Sequence, residues 1–191
     1  YIARLIAKGY KVAICEQMED PALAKGLVKR DIIRIVTPGS VTESSMLTES
    51  KNNYYACLYA EHDVCGLAFC DVSTGAFHVT QTSGADWAES AGNELGSFLP
   101  AEVLLGGDAA ENEALCALIT DRLNACLGRG TAAQFDFSAC DAAVRAQFGA
   151  LPELDAMPCA VRAAGALLTT LKNLQKNDLP HIRQLELYMA G

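Results

Sequence analysis

Residues 54–82 read YYACLYAEHDVCGLAFCDVSTGAFHVTQT, and the fold class can be inferred from the pattern of this stretch. Its three apolar runs lie at 54–60, 64–72 and 76–82, with the polar turns EHD and STG between them. Apolar runs of this length bounded by turn residues are typical of β-strands joined by hairpins. The second run is apolar on both faces, which indicates a strand in the middle of a sheet. The stretch therefore predicts a three-stranded meander.

Helices and further strands are predicted after the meander. Ser83 and Asp86 have the spacing of a capping pair, and the apolar stripe that follows them ends at Phe98. Residues 102–105 predict a short strand parallel to a meander strand. Further helices are expected to begin at the pairs Asp108/Glu111 and Ser138/Asp141 and at Pro158, and a last strand to end at Phe135. A meander followed by alternating helices and strands is an α/β architecture.

The charge of the chain is unevenly distributed. The 191 residues carry a formal net charge of −8. Residues 1–38 hold seven basic and four acidic side chains, a net of about +3, so by difference the remainder carries about −11. An acidic body repels DNA, and any phosphate-binding surface is therefore expected in the N-terminal segment.

Composition excludes several broad classes of protein. With 51% hydrophobic and 20% charged residues, the chain resembles an ordinary globular protein. No apolar stretch approaches the roughly 18 residues that span a bilayer, and no signal-peptide pattern is present. This predicts a cytoplasmic protein that contacts no membrane. Because there is no initiator methionine, we expect the chain to be a fragment of a longer protein.

Eight cysteines are distributed along the chain without a C-x-x-C pair. Most lie in predicted apolar strands or helix faces, which favours small buried side chains in a reducing compartment. The alternative is a cysteine-based metal or redox module, for which the candidate zinc ligands are His62, Cys65 and either Cys57 or Cys70. These residues lack the paired spacing of structural zinc sites.

The N-terminal segment has its own pattern. The run GYKVAICEQMEDP at 9–21 predicts a helix-terminating glycine, a short strand and a turn. The run KGLVKRDIIRIVTPGSV at 25–41 predicts a basic helix and a strand over 31–36, which ends at Thr37-Pro38-Gly39. Residues 42–53 are polar and have the composition of a linker, so a domain boundary is expected there.

These two runs resemble the second half of the mismatch-recognition domain of the bacterial MutS family of DNA mismatch repair proteins. The matching positions are Gly9, Lys11, Val12, Ala13, Cys15, Glu16, Gln17, Asp20, Pro21, Lys29, Arg30, Val36, Thr37, Pro38 and Gly39. Further along, RAAGALL at 162–168 and LPHI at 179–182 are similar to the run in which the family passes from its connector domain into its core.

The resemblance implies a division of the chain. Residues 1–41 would be the C-terminal part of an α/β mismatch-recognition domain, and 42–53 a linker. Residues 54–157 would be an RNase H-like connector domain, and 158–191 a helix leading into the core.

The resemblance also implies a function. In this family the connector links DNA-bound and ATP-bound states and docks MutL. The expected partners are therefore mismatched duplex DNA, MutL and a second MutS subunit. The sequence contains neither a Phe-x-Glu mismatch wedge nor a G-x-x-x-x-G-K-S/T phosphate loop. We expect no enzymatic activity and no cofactor in this segment, with ATP and Mg²⁺ bound elsewhere in the parent protein.

Candidate DNA contacts are basic side chains of the N-terminal segment. Lys and Arg position DNA through its phosphates without reading sequence, and the alternative is a solvated charged face. The candidates are Lys11, Lys25, Lys29, Arg30 and Arg34. Structural roles are assigned to Glu16-Gln17, which the resemblance marks as hallmark positions, and to Pro38-Gly39.

The stretch DVSTG at 71–75 admits two interpretations. In an RNase H-like nuclease, Asp71 would need other carboxylates around shared metal ions. The acids of the EHD turn are expected at the opposite end of the hairpin, which leaves Glu102 as the remaining candidate. In the favoured interpretation, Asp71 and Ser73 bond backbone groups of a turn and Gly75 supplies its permissive φ.

Overall fold

The computed structural model describes residues 2–17, 30–42 and 52–191. Most of the predicted linker and the candidate DNA contacts Lys25 and Lys29 lie outside these residues. The described chain forms a two-stranded sheet near the N-terminus and a six-stranded mixed sheet that carries most of the helices. The predicted α/β class is confirmed.

The first 42 residues contribute a small N-terminal unit. Helix α1 (Ile2–Ala7) is followed by strands β1 (Val12–Gln17) and β2 (Arg30–Val36), which pair antiparallel with an irregular register between Ile14 and Cys15. Gly9 ends α1 with a φ of +86°, and its N–H donates to the carbonyl of Ile6. This is the helix-terminating glycine that the sequence predicts. Ile6, Val36 and Val41 form a buried apolar cluster within the unit.

The predicted meander is confirmed. Strands β3 (Tyr54–Glu61), β4 (Val64–Asp71) and β5 (Ala76–Ser83) pair antiparallel in sequence order. Strand β6 (Glu102–Gly107) adds parallel to β3, again as predicted. Strand β7 (Cys126–Arg129) adds parallel to β6, and β8 (Glu186–Leu187) adds parallel to β5. The sheet order is β7-β6-β3-β4-β5-β8.

Helices cover both faces of the large sheet. One face packs against α5 (Phe137–Phe148) and α6 (Pro158–Gln175). The other packs against α2 (Trp87–Phe98) and the short helices α3 (Asp108–Glu111) and α4 (Glu113–Ala117). Successive residues of β3 and β4 therefore point into different apolar cores, which is why these strands are apolar on both sides.

Helix α6 begins at Pro158, as predicted, and is the most extensively buried helix described. It packs directly on β3 and β4 and against α5. A Cβ on Gly66 of β4 would lie 2.1 Å from the carbonyl carbon of Cys159, and one on Gly165 would lie 2.4 Å from Cys140 Cα. This burial makes α6 part of the core of the sheet domain, and its role as a helix leading into the next domain stays a prediction.

The prediction of a strand that ends at Phe135 is wrong. The strand between β6 and α5 is β7, at Cys126–Arg129, while Phe135 lies in the 3-10 turn Ala133–Phe135. Strand β7 is short, contains Gly128 and is only partly buried, so its sequence lacks an apolar alternation that would reveal it. Phe135 is buried because it packs across the sheet face, where it meets the ring of Tyr59.

Three predicted helix caps also differ. The side chain of Asn112 accepts the Leu115 N–H at 2.9 Å and caps α4, while Asp108 and Glu111 bound the separate helix α3. The residue that caps α5 is Asp136, which accepts the N–H of Ala139, and not Ser138. In front of α2, Ser83 belongs to β5 and Asp86 makes no side-chain capping bond. Several neighbouring residues near each helix start have side chains that can cap a helix. The spacing of Ser, Asp and Glu alone therefore pointed to the wrong capping residue.

The segment after α6 returns to the sheet. Lys176 takes the left-handed conformation, with a φ of +57°, and ends the helix. The chain then reaches β8, where the carbonyl of Tyr188 accepts the hydroxyl of Thr80 at 2.7 Å. Glu186 lies 3.2 Å from the Nδ1 atom of His78 on β5. In the described ranges, none of the helices is both long and apolar enough to cross a bilayer.

Candidate functional site at the N-terminal joint

The turn Thr37–Ser40 is the part of the N-terminal unit that enters the large sheet domain. Thr37 and Ser40 are fully buried. The N–H of Thr37 donates to Ser40 Oγ at 2.9 Å, and the N–H of Ser40 donates back to the Thr37 carbonyl at 3.0 Å. These reciprocal bonds fold the turn tightly, and its remaining polar groups face partners from the sheet domain. We call this contact region the N-terminal joint.

Glu102 is the first of these partners. It opens β6, and its side chain is only 2% exposed. Its Oε1 accepts the N–H of Gly39 at 3.0 Å, and its Oε2 lies 3.7 Å from Nζ of Lys11. A buried carboxylate requires such partners, because an unpaired charge in the interior is costly. The turn can approach Glu102 this closely only with glycine at position 39, since a Cβ added there would lie 2.8 Å from Glu102 Cβ.

Two neighbours of Glu102 report on the electrostatics of the joint. Tyr55 and Cys126 are its register partners on β3 and β7. Burial raises the pKa of Tyr55 above its ordinary value, and the adjacent Glu102 charge raises it further. Burial and Glu102 likewise raise the pKa of the Cys126 thiol, while Lys11 opposes this shift. The Glu102 carboxylate thus acts on both side chains, and Lys11 offsets its effect at Cys126.

Two amide side chains complete the joint. Nε2 of Gln175, at the end of α6, donates to the Ser40 carbonyl at 2.9 Å. Nδ2 of Asn53 donates to the Pro38 carbonyl at 2.8 Å, and the Asn53 N–H donates to Oδ2 of Asp71 at 3.1 Å. Strands β4 and β6 and helix α6 therefore all supply or support contacts to the same four-residue turn.

A cleft of about 460 Å³ lies beside the joint. It is bounded by α1 on one side and by the starts of β6 and β7 on the other, where Ala101 and Cys126 line it. Asn53 and Pro38 lie between these walls. The cleft therefore separates α1 from the starts of β6 and β7.

Family models for two consecutive domains match the chain. The model described as MutS domain I matches residues 1–45, and that of MutS domain II matches residues 53–183. This chain belongs to the MutS family. Similar proteins named DNA mismatch repair protein MutS occur in Ruminiclostridium cellulolyticum and Acetivibrio thermocellus, with 39% and 41% identity over 98% of this chain. A third, from Pelotomaculum thermopropionicum, is 42% identical over all of it.

The chain spans about a fifth of the length of these MutS proteins, since it covers 22% of each. The two domain matches leave residues 46–52 between them. The joint described above connects residues of the MutS domain I match, at 37–40, with residues of the domain II match.

The predicted DNA contacts of MutS domain I are only partly described. Lys11 is 56% exposed and has Glu102 as a partner inside the protein. Nη1 of Arg34 donates to the Thr42 hydroxyl at 3.1 Å. Arg30 begins β2, where its backbone pairs with Gln17, and Glu16 pairs with Asp31. Side chains at 16, 17 and 30 fall outside the described atoms. A role in DNA binding stays a prediction for this set.

Asp71 holds a turn. Its Oδ1 accepts the N–H of Ser73 at 3.0 Å and the Ser73 hydroxyl at 2.6 Å, while Asn53 occupies Oδ2. Gly75 has a φ of +83°, and its N–H donates to the Asp71 carbonyl at 2.8 Å. The turn interpretation of DVSTG agrees with these contacts.

The nuclease interpretation does not fit the geometry. Register pairs place Asp71 and Glu102 at one edge of the sheet and Glu61 at the other. Asp71 pairs with Tyr54 and Glu102 with the next residue, Tyr55, so their side chains point to opposite faces of the sheet. Asp71 also already accepts hydrogen bonds at both oxygens. Among the described residues, no group of three or more potential ligands could hold a metal ion.

The proposed zinc ligands are also separated. Cys57 and Cys70 lie in the core that faces α6, whereas Cys65 lies in the core that faces α2. The sheet itself stands between them. His62 occupies the β3–β4 turn with a φ of +51°. Burial raises the pKa of all three thiols, which keeps them protonated.

Sequence reasoning missed most of the joint. Glu102 was considered only as a possible metal ligand and Asn53 only as part of a linker, and Gln175 was assigned no role. The one available signal is the position of Glu102, because an acid at the start of an otherwise apolar strand needs a buried partner.

Proposed function

We propose that this chain comprises the end of the mismatch-recognition domain and the connector domain of a MutS protein that acts in DNA mismatch repair. In this proposal the connector is an RNase H-like domain that performs no chemistry. It transmits the state of bound DNA to the parts of the full-length protein that bind ATP and Mg²⁺. The family membership and the names of the relatives support the process.

The N-terminal joint is the observation that carries the connector role. A domain that relays a change of state must contact the DNA-binding unit through a defined surface. Here Glu102, Gln175 and Asn53 hold the backbone of one short turn, and two of these three side chains come from the sheet domain's regular elements. The contact has the specificity expected of such a relay.

Charge supports a protein partner for the sheet domain. The residues after 38 carry about −11, which disfavours contact with the phosphate backbone. We infer that this domain docks MutL, and that DNA contact in the full-length homodimer belongs to the mismatch-recognition domain, with Lys11, Lys25, Lys29, Arg30 and Arg34 as candidate phosphate contacts.

Biolayer interferometry on the purified chain tests this proposal. The chain is immobilised and exposed to purified MutL, to a homoduplex and to a duplex with one G·T mismatch. We expect saturable binding of MutL and weak DNA binding that falls with salt and ignores the mismatch. Absence of MutL binding would contradict autonomous docking. Tight, mismatch-selective binding of the duplex would contradict the division of labour between the two domains.

A further inference from the structure

The two units of the chain have separate apolar cores. The cluster of Ile6, Val36 and Val41 is distinct from both clusters that cover the large sheet. Among the described residues, the joint combines hydrogen bonds and the Lys11–Glu102 ion pair with packing of Gly39 on the Tyr55 ring and close approach of β2 to α6. Polar contacts of this kind exchange readily for water, whereas an apolar core does not. Separating the units would therefore break these polar contacts and uncover the Tyr55 ring, while the core that faces α2 stays covered.

We propose that Glu102 is a positioning residue, and that with Gln175 it forms a latch that holds the mismatch-recognition unit in one orientation on the sheet and can release it. This inference rests on the proposed function for its biological meaning, and on the geometry of the joint for its physical content. The latch would set the angle at which the DNA-binding unit is presented.

The geometry favours a latch with two defined states. Gly39 approaches so closely that its Cβ would lie 2.8 Å from both Glu102 Cβ and the Tyr55 ring, so the closed state admits little variation. When the turn leaves, Glu102 gains water in place of the Gly39 N–H, and its charge is not left buried and unpaired. In an intermediate position of the turn, Glu102 would have neither the Gly39 N–H nor water as a hydrogen-bond partner, so such positions are disfavoured.

Gln175 links the latch to the rest of the molecule. It lies at the last position of α6, directly before Lys176 ends the helix. Its partner, the Ser40 carbonyl, lies on the same turn as the Gly39 N–H that Glu102 binds. A displacement of the end of α6 would therefore remove one of the two contacts, which provides a route from the C-terminal side of the chain to the mismatch-recognition unit.

Residual dipolar couplings of the 191-residue chain measure the latch directly. We expect one alignment tensor to fit both the N-terminal unit and the sheet in the unmodified protein. In Glu102→Ala, couplings over 2–17 and 30–42 should shrink while those of β3 to β6 persist. Hydrogen exchange of the Gly39 amide should accelerate roughly 10- to 100-fold, the range expected for losing a bond to a charged acceptor.

Three further variants separate positioning from stability. Gln175→Ala should loosen the same unit without touching Glu102. Glu102→Gln keeps an acceptor oxygen for Gly39 and should retain more of the fixed orientation than Glu102→Ala. Glu153→Gln, at an exposed acid outside the joint, should change neither couplings nor exchange.

Two results would overturn the latch. One is unchanged couplings in both Glu102→Ala and Gln175→Ala. The other is an equal decrease of the couplings in the N-terminal unit and in the sheet of Glu102→Ala. That result would mean that Glu102 stabilises the whole fold and does not position the unit. Because these measurements need neither MutL nor DNA, they remain informative even if the proposed function fails.

Discussion

Gly39 is where the N-terminal unit and the sheet domain come closest. We expect Gly39→Ala to undock the turn, because its Cβ would lie 2.8 Å from Glu102 Cβ and from the Tyr55 ring. Amide hydrogen exchange should rise over 2–17 and 30–42 and stay unchanged over 54–83. Gly96→Ala is the matched control, since nothing lies within 4 Å of its Cβ position. Unchanged exchange in Gly39→Ala would show that the close contact is not maintained in solution.

Gly66 serves a different contact, between β4 and α6. A Cβ there would lie 2.1 Å from backbone of Cys159, so Gly66→Ala must push α6 away from the sheet. We expect the free energy of unfolding to fall by ~2 kcal/mol or more. Urea denaturation measures this change. Gly96→Ala, within helix α2, should instead raise it by ~0.5–1 kcal/mol, so equal effects of the two substitutions would contradict the packing.

The cysteines should differ sharply in reactivity. Cys15 is exposed, whereas Cys57, Cys65 and Cys70 are buried and burial raises the pKa of each thiol. Because the thiolate is the reactive form, we expect Cys15 to be alkylated first at neutral pH, and the three buried thiols only on unfolding. Peptide mass spectrometry after timed alkylation identifies the order. Rapid labelling of the buried thiols would restore the redox-module alternative.

Helices and strands could be predicted from the sequence where turn residues or a proline next to them mark their limits. Strands β3 to β5 were predicted because each hairpin has its own turn residues, and α6 because Pro158 marks its start. Strand β7 was not predicted, since it is held by pairing to β6 and carries no periodic pattern of its own. The caps Asn112 and Asp136 were missed because neighbouring Asp, Glu and Ser residues offer the same spacing. Neighbouring residues therefore predict whether a segment is a helix or a strand better than they predict where it begins and ends.

The N-terminal joint lay beyond sequence reasoning for a related reason. Gly39 and Glu102 are 63 positions apart, and Ser40 and Gln175 are 135 apart. Each residue has an ordinary local interpretation, as a turn glycine, a strand acid or a helix-face amide. Only the fold brings them together. The family resemblance assigned the Pro38-Gly39 turn a structural role but did not identify its partners.

For the whole molecule, the buried thiols and phenols predict sensitivity to alkaline pH. Burial raises the pKa of Cys140 and Cys159 from 9.0 to about 11, and raises that of Tyr55 and Tyr188 from 10.0. Above pH 9 the unfolded chain releases these protons before the folded chain does. The stabilisation is thus complete below pH 9 and is lost as pH rises through the folded values.

Each such group should lower the free energy of unfolding by about 1.4 kcal/mol per pH unit once its unfolded form ionises. Urea denaturation at pH 8, 9, 10 and 11 measures the slope. Replacing Cys140 and Cys159 by alanine should flatten the curve between pH 9 and 11. A free energy that stays constant over this interval would show that these thiols are not buried in solution.

The late position of α6 and β8 in the chain has a consequence for synthesis on the ribosome. A nascent chain that ends before Pro158 can complete the α2 layer, but it lacks α6 on the opposite sheet face, where only α5 of the two helices is present, and leaves the outer edge of β5 unpaired. Uncovered apolar faces and strand edges invite association with other chains. Translating residues 158–187 takes roughly 1.5–6 s at ~5–20 residues per second, and during that interval these surfaces are open to such association.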